Sequence, residues 1–246
     1  VLTIQDTYYI TNKAVTVAAH TAPTFNARRQ ATVVLNGTTN GDYKITLKKK
    51  SDNSIIELET YAASGASAED ILGALDNFTA TGVNPVQKYG NTIEFGYTEE
   101  FYVELESPNG TELSVYQDEV GSITDLPVDT AANRVVKILN TDADEDDYYV
   151  KFDGDDKVWR ETLAPNVSTG LKEITMPHEL VCTGKDAFTF QPVSWVKRSV
   201  GDDTTNEHPS FVGKKIQQTF FSNNRLGFLC EDNVSLGQAG DYTNLY

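Results

Sequence analysis

Lys215-Ile216-Gln217-Gln218-Thr219-Phe220-Phe221 and Arg225-Leu226-Gly227-Phe228-Leu229-Cys230 flank Ser222-Asn223-Asn224, and Asn233-Val234-Ser235-Leu236 follows the Glu231-Asp232 pair. Asn tolerates the positive φ a tight turn needs, so the first two runs predict a β-hairpin and the third a strand laid beside it. Three short strands with polar turns are how a propeller blade begins; a complete blade has about four strands and a ring about four to eight blades. The sequence runs from Val1, with no initiator Met, to Tyr246. It is therefore expected to be part of a longer polypeptide, with 201–246 as the first strands of an incomplete β-propeller.

Working outward, the rest of the chain is also mainly β. Residues 7–10 and 14–18 flank Thr11-Asn12-Lys13, residues 31–35 precede Asn36-Gly37, and residues 43–48 and 54–59 flank Ser51-Asp52-Asn53, the pattern of an antiparallel meander. One segment departs from it. Ser67-Ala68-Glu69-Asp70 reads as an N-cap with an acid at the third helical position, and Ile71, Leu72, Leu75 and Phe78 recur at helical spacing. A helix over 68–78 with its apolar stripe on a sheet follows. Residues 92–95, 102–106 and 113–117 continue the strands, and 120–129, with Gly121, Pro127 and no period, is a candidate boundary. Residues 135–139, 148–152 and 158–162 begin a second β-rich unit. The expected division is 1–126 as a platform-like β unit with one helix, 127–200 as the second β-rich unit, and 201–246 as the propeller start.

Composition limits the function. Apolar residues make up 39% and aromatics 10%, which fits a folded chain; nothing approaches the roughly 20 apolar residues of a membrane helix, and the first residues lack the basic start and apolar block of a signal peptide. Thirty-six Asp and Glu against twenty Lys and Arg give −16, the wrong sign for a protein that grips nucleic-acid phosphates. Cys182 and Cys230 lie far apart with no metal spacing and read as buried reduced thiols. His20, His178 and His208 share no metal or catalytic spacing, and no nucleophile elbow, P-loop or dinucleotide fingerprint is present. The sequence predicts neither an enzyme nor a cofactor.

The densest chemistry is acidic. Asp142, Asp144, Glu145, Asp146 and Asp147, then Asp153, Asp155 and Asp156, place many hard oxygens in one hairpin. Asp142, Asp144 and Asp146 imitate the start of a calcium-binding EF-hand loop, but Asp147 stands where that loop needs Gly and Asp153 where it needs Glu. A solvated acidic turn facing a channel or a neighbouring subunit is the expected reading. Arg225 alternates with Leu226 and Phe228, so on a strand it faces away from them, toward a carboxylate such as Asp241; Gly227 permits close backbone approach. These three are expected to be framework residues. Trp159 and Trp195 read as core or inter-domain anchors.

Several stretches together resemble a known family. Asp147-Tyr148-Tyr149-Val150-Lys151-Phe152, Val158-Trp159-Arg160-Glu161-Thr162, Gly170-Leu171 and Met176-Pro177-His178-Glu179-Leu180 precede Thr205-Asn206-Glu207-His208-Pro209-Ser210-Phe211, Asn224-Arg225-Leu226-Gly227 and Gly240-Asp241-Tyr242. Their order is similar to that in the tail tubular protein B, or tail nozzle, family of short-tailed bacteriophages. The likeness is dense from 147 to 242 and thin before it, and Glu207-His208 stands where the family has Pro and a small or aromatic residue. It implies a structural protein of the virion tail, assembled in the host cytoplasm as a homo-oligomer, a hexameric ring in this family. Such a ring joins a tail adaptor to the distal tail and its fibres and conducts DNA during ejection. A wall of the same sign as DNA would keep the duplex away over about 8 Å at physiological salt, although such charge also serves solubility. Two other classes stay open on the residues: a carbohydrate- or receptor-binding module with a calcium site, and a tail-spike-like hydrolase.

Overall fold

Eighteen strands and one α-helix occur in the computed structural model, which describes all residues except 27–28, 84–85 and 141–146. In chain order they are β1 (Leu2–Ile4), β2 (Thr7–Ile10), β3 (Gln30–Leu35), β4 (Gly41–Lys49), β5 (Ile55–Ala63), α1 (Ala68–Leu75), β6 (Gln87–Tyr89), β7 (Thr92–Gly96), β8 (Phe101–Glu106) and β9 (Leu113–Tyr116). Then come β10 (Glu119–Val120), β11 (Val135–Ile138), β12 (Tyr148–Asp153), β13 (Val158–Thr162), β14 (His178–Gly184), β15 (Ala187–Pro192), β16 (Gln218–Ser222), β17 (Arg225–Leu229) and β18 (Val234–Leu236). Pairing between the strands is antiparallel except for β10 with β11. The chain divides into two compact units, Phe25–Thr162 and Val1–Thr24 with Leu163–Tyr246.

Within Phe25–Thr162, β3 explains the arrangement. Five of its six residues, all but Gln30, are buried because it is covered on both sides. Ala31, Val33 and Leu35 point into one core with Tyr43, Ile45, Leu47, Ile93 and Phe95, while Val34 points into a second core with Tyr116, Val136, Ile138 and Val150. The sheet β6-β7-β3-β9 thus shares its first core with β5-β4-β8 and α1, and its second with β10-β11-β12-β13. The helix starts as expected: Ser67 and Asp70 form a capping box, and Ile71, Leu72 and Leu75 are buried at roughly 1.5–3 kcal/mol each. It ends at Leu75, three residues short of the expected 78. The Asn77 amide donates to the Gly73 and Ala74 carbonyls, and Phe78 reaches the same core from beyond the helix.

Unit Val1–Thr24 with Leu163–Tyr246 holds the sheets β1-β2-β14-β15 and β16-β17-β18. Ile4, Tyr9 and Val17 share a core with Trp195, Phe211, Leu226 and Phe228. The expected hairpin is present: Asn223 and Asn224 both have positive φ, 50° and 58°, and Ser222 pairs with Arg225.

Three sequence expectations differ from the arrangement observed. Residues 14–18 form no strand, because their backbone is divided among separate partners: Val17 N–H donates to the Lys214 carbonyl and Ala18 N–H to Thr175 Oγ1. Cys182 is exposed, on an irregular part of β14 beside Gly184; both thiols are free. The expected boundaries at 126/127 and 200/201 fall inside the two compact units. Leu126 is buried in the second core and Trp159 Nε1 donates to the Pro127 carbonyl at 2.9 Å, so 120–129 is a packed connection. Residues 163–200 share their core with 201–246 and with the N-terminal strands, since β2 pairs with β14 in the register Tyr8 to Leu180.

Candidate functional site

Charge is divided unevenly. Residues 25–162 carry 26 Asp and Glu against 12 Lys and Arg, net −14, whereas the rest carry ten against eight, net −2. Many of the cations are held by carboxylates: Lys44 Nζ lies 2.6 Å from Glu106, Lys48 2.7 Å from Glu104 and Lys50 2.9 Å from Glu100, a ladder along β4 and β8. Each exposed pair contributes only about 0.2–1 kcal/mol and cancels one charge of each sign, so the surplus is untouched.

The acidic hairpin is described in part. Asp142, Asp144, Glu145 and Asp146, which include the whole calcium triad, lie outside the described residues. Among the rest, Asp147 accepts from Lys137 Nζ at 2.5 Å and from Asn140 N–H at 2.7 Å, which together hold its carboxyl below the usual range. Asp153 Oδ1 accepts the amides of Asp156 and Asp155, and its other oxygen meets Arg160 Nε at 3.2 Å; the Asp156 amide and Arg160 lead in lowering its pKa. Asp156 also pairs with Arg160. Part of the expected acidic loop is therefore engaged in shaping its own turn.

At the hairpin that carries the framework residues, Arg225 Nη1 donates to the Gly237 carbonyl at 3.2 Å, and Asp241 accepts from Thr243 N–H and Oγ1. The expected Arg225–Asp241 pair is replaced by these two local contacts, because Arg225 reaches the residue that follows β18. Gly227 faces Phe220 across the hairpin, and a Cβ there would sit 2.3 Å from Phe220 Cζ. An aromatic ring, not a backbone, is what this glycine admits. Gly227→Ala is expected to lower stability by about 1–3 kcal/mol through overpacking, with most of the loss recovered by adding Phe220→Leu. Urea midpoints of the two variants check this.

The residue that sequence reading missed is Arg198. Its side chain is fully buried. Nε donates to the Ser168 carbonyl at 3.0 Å, Nη1 to the Asn206 carbonyl at 2.7 Å, and Nη2 to Ser168 O and to His208 Nε2, while Asp203 lies 2.8 Å away. Arg198 therefore orders the Thr205-to-Phe211 stretch. Asp202 caps the same loop, and its bonds from Thr204 first and Thr205 next hold its pKa at about 2. Pro209-Ser210-Phe211 then carries Phe211 into the core, 5.2 Å from Phe228. The available signal was weak: Arg198 follows the Val193-to-Trp195 alternation and precedes a run of small polar residues whose carbonyls need donors.

His208 is fixed by the same cluster. An arginine can only donate, so Nε2 accepts and Nδ1 carries the proton toward Tyr246 Oη, 3.0 Å away. Burial and then the Arg198 charge lower the His208 pKa below 6.5. On acidification the unfolded chain takes up this proton first, so the contribution is complete above pH 6.5 and is lost as pH falls through the folded value. The urea midpoint reported by Trp195 fluorescence is expected to fall between pH 7 and 5, with a shallower slope in His208→Gln.

The profile of the bacteriophage nozzle protein family matches residues 1–246. The chain belongs to that family. Tail tubular protein gp12 of Escherichia phage T7 is 40% identical over 126 residues, which cover 51% of this chain and 16% of that protein. The matched part thus spans under a fifth of that relative. As a nozzle-family chain, the protein is a structural component of the virion tail.

Proposed function

We propose that the chain is a wall section of a tail nozzle, in a homo-oligomeric ring through which DNA leaves during ejection and which joins the tail adaptor to the distal tail and its fibres. The observation that carries this beyond family membership is the concentration of −14 in residues 25–162. Ring symmetry repeats every acidic loop around an axis, and a lining of that kind repels phosphate at each point of the passage. The exposed members of the acidic hairpin, Asp155 and Asp156, are candidate lining or interface residues, together with Asp142, Asp144, Glu145 and Asp146.

We also propose that β16-β17-β18 is the start of a propeller blade. Its strands are consecutive and antiparallel, and Val234 and Leu236 on the outermost strand are 58% and 50% exposed, apolar positions that a further strand would cover.

The test uses the natural full-length polypeptide. Electron microscopy is expected to show rings, six-fold by family resemblance, and duplex DNA is expected to pass a filter-binding assay unretained at about 50 mM salt, where phosphate contacts are strongest. A monodisperse monomer, or tight binding of DNA under those conditions, overturns the reading.

A further inference from the structure

The nozzle reading requires contacts between copies, and one surface stands out as built for them. Strand β15, Ala187-Phe188-Thr189-Phe190-Gln191-Pro192, is the outer strand of its sheet; all six residues are exposed and none is charged. Edge strands of monomeric proteins usually carry charge, a bulge or a cover that prevents pairing, and β15 has no charged residue in a chain with 36 carboxylates.

Register aligns the apolar side chains. Tyr8, Leu180 and Phe190 form one row across β2, β14 and β15, with Ile10, His178 and Pro192 in the next and Cys182 with Phe188 on the other side. These residues share one face of the sheet because side chains alternate. Phe188 and Phe190 are 56% and 59% exposed, and His178 stacks on Phe190 at 5.3 Å. The opposite face carries Tyr9, which enters the core, and Glu179, which accepts from Gln191. The outer face continues into a groove of about 530 Å³ whose walls include Ile10, Val15, Ile174, Met176 and Phe190, with Lys13 at its side. Neither those sheet rows nor the groove lining contains a carboxylate.

We infer that the outer face and free edge of β14–β15, with the adjoining groove, form the contact surface for a second copy of this chain. Resting on the ring reading, this inference identifies the surface through which copies meet. Charge decides the occupant and the geometry. A self-matched, two-fold contact would bring Lys13 toward Lys13, whereas a head-to-tail contact sets the lysine-bearing apolar face against the acid-rich surface of the next copy, which is the kind of contact a ring requires. The exposed phenylalanines are the anchors and the open edge can accept a strand.

The experiment uses the full-length chain with p-benzoylphenylalanine in place of Phe188, mixing ¹⁵N-labelled and unlabelled copies before irradiation. Cross-links joining one labelled to one unlabelled copy, at a peptide containing Asp or Glu, are expected. Phe188→Ser with Phe190→Ser, and separately Lys13→Glu, should each weaken self-association by about tenfold or more. Cross-links confined to single copies, or oligomers unchanged by both variants, overturn the surface and leave the nozzle reading standing. Failure of the unsubstituted protein to oligomerise overturns both.

Discussion

Arg198→Met is expected to lower the stability of the unit Val1–Thr24 with Leu163–Tyr246 by about 3 kcal/mol or more, because three acceptors lose their donor while Asp203, which is 64% exposed, returns to water. The guanidinium supplies donors to two loop carbonyls, Ser168 and Asn206, and to His208. Methionine fills much of the volume but leaves those acceptors in a dry site, at about 1–3 kcal/mol for each one water cannot reach. Arg198→Lys should rescue little, because one ammonium cannot span the positions a planar fork reaches. The chain has two tryptophans, Trp159 in one unit and Trp195 in the other. In a Trp159→Phe background the urea transition of Trp195 therefore reports this unit alone. A midpoint unchanged by Arg198→Met would show that the loop holds without it.

Glu94→Leu should be comparably damaging in Phe25–Thr162, by about 3–5 kcal/mol. Glu94 lies on β7, on the face turned to the second core, where it accepts from Thr130 Oγ1 at 2.9 Å and Ala131 N–H at 3.0 Å and lies 3.7 Å from Arg134 Nε. Arg134 in turn donates to Gln30 Oε1 at 2.7 Å and to the Gln117 carbonyl, and lies over the Tyr116 ring. Removing the carboxylate strands a buried cation. Removing both charges, as Glu94→Leu with Arg134→Met, should cost clearly less than the sum of the single changes, because an apolar pair needs no partner ions. Trp159 fluorescence in a Trp195→Phe background measures the cycle, and strict additivity would show that the two side chains act independently.

Legibility in the sequence followed the range of the interactions. The Asn223-Asn224 turn and the Ser67–Asp70 capping box involve residues within a few positions of each other, and both appear where the sequence places them. Residues 14–18 had a strand's composition but lack a neighbouring ladder, so their hydrogen bonds go to Lys214 and Thr175, each over 150 residues away. Arg198, Glu94 and Arg134 were illegible for a related reason. Lys, Arg and Glu are ordinarily surface residues, and nothing adjacent in the chain marks the few whose partners come from elsewhere. Gly227 was visible as a glycine, but its reason, the Phe220 ring, depends on the pairing register.

By itself the sequence determined a mainly β chain with one capped helix, an Asn-turned hairpin near its C-terminal end, and a strong acidic surplus. These follow from turn chemistry, side-chain periodicity and composition, all of which act locally or by sum. Only the tertiary structure decided that β2 joins β14, that β3 is covered on both faces, that −14 of the −16 falls in residues 25–162, and that β15 is left uncovered. The physical reason is that sheet partners and core membership are chosen by total apolar burial across the whole chain, and a strand's own residues do not specify which distant strand completes its ladder.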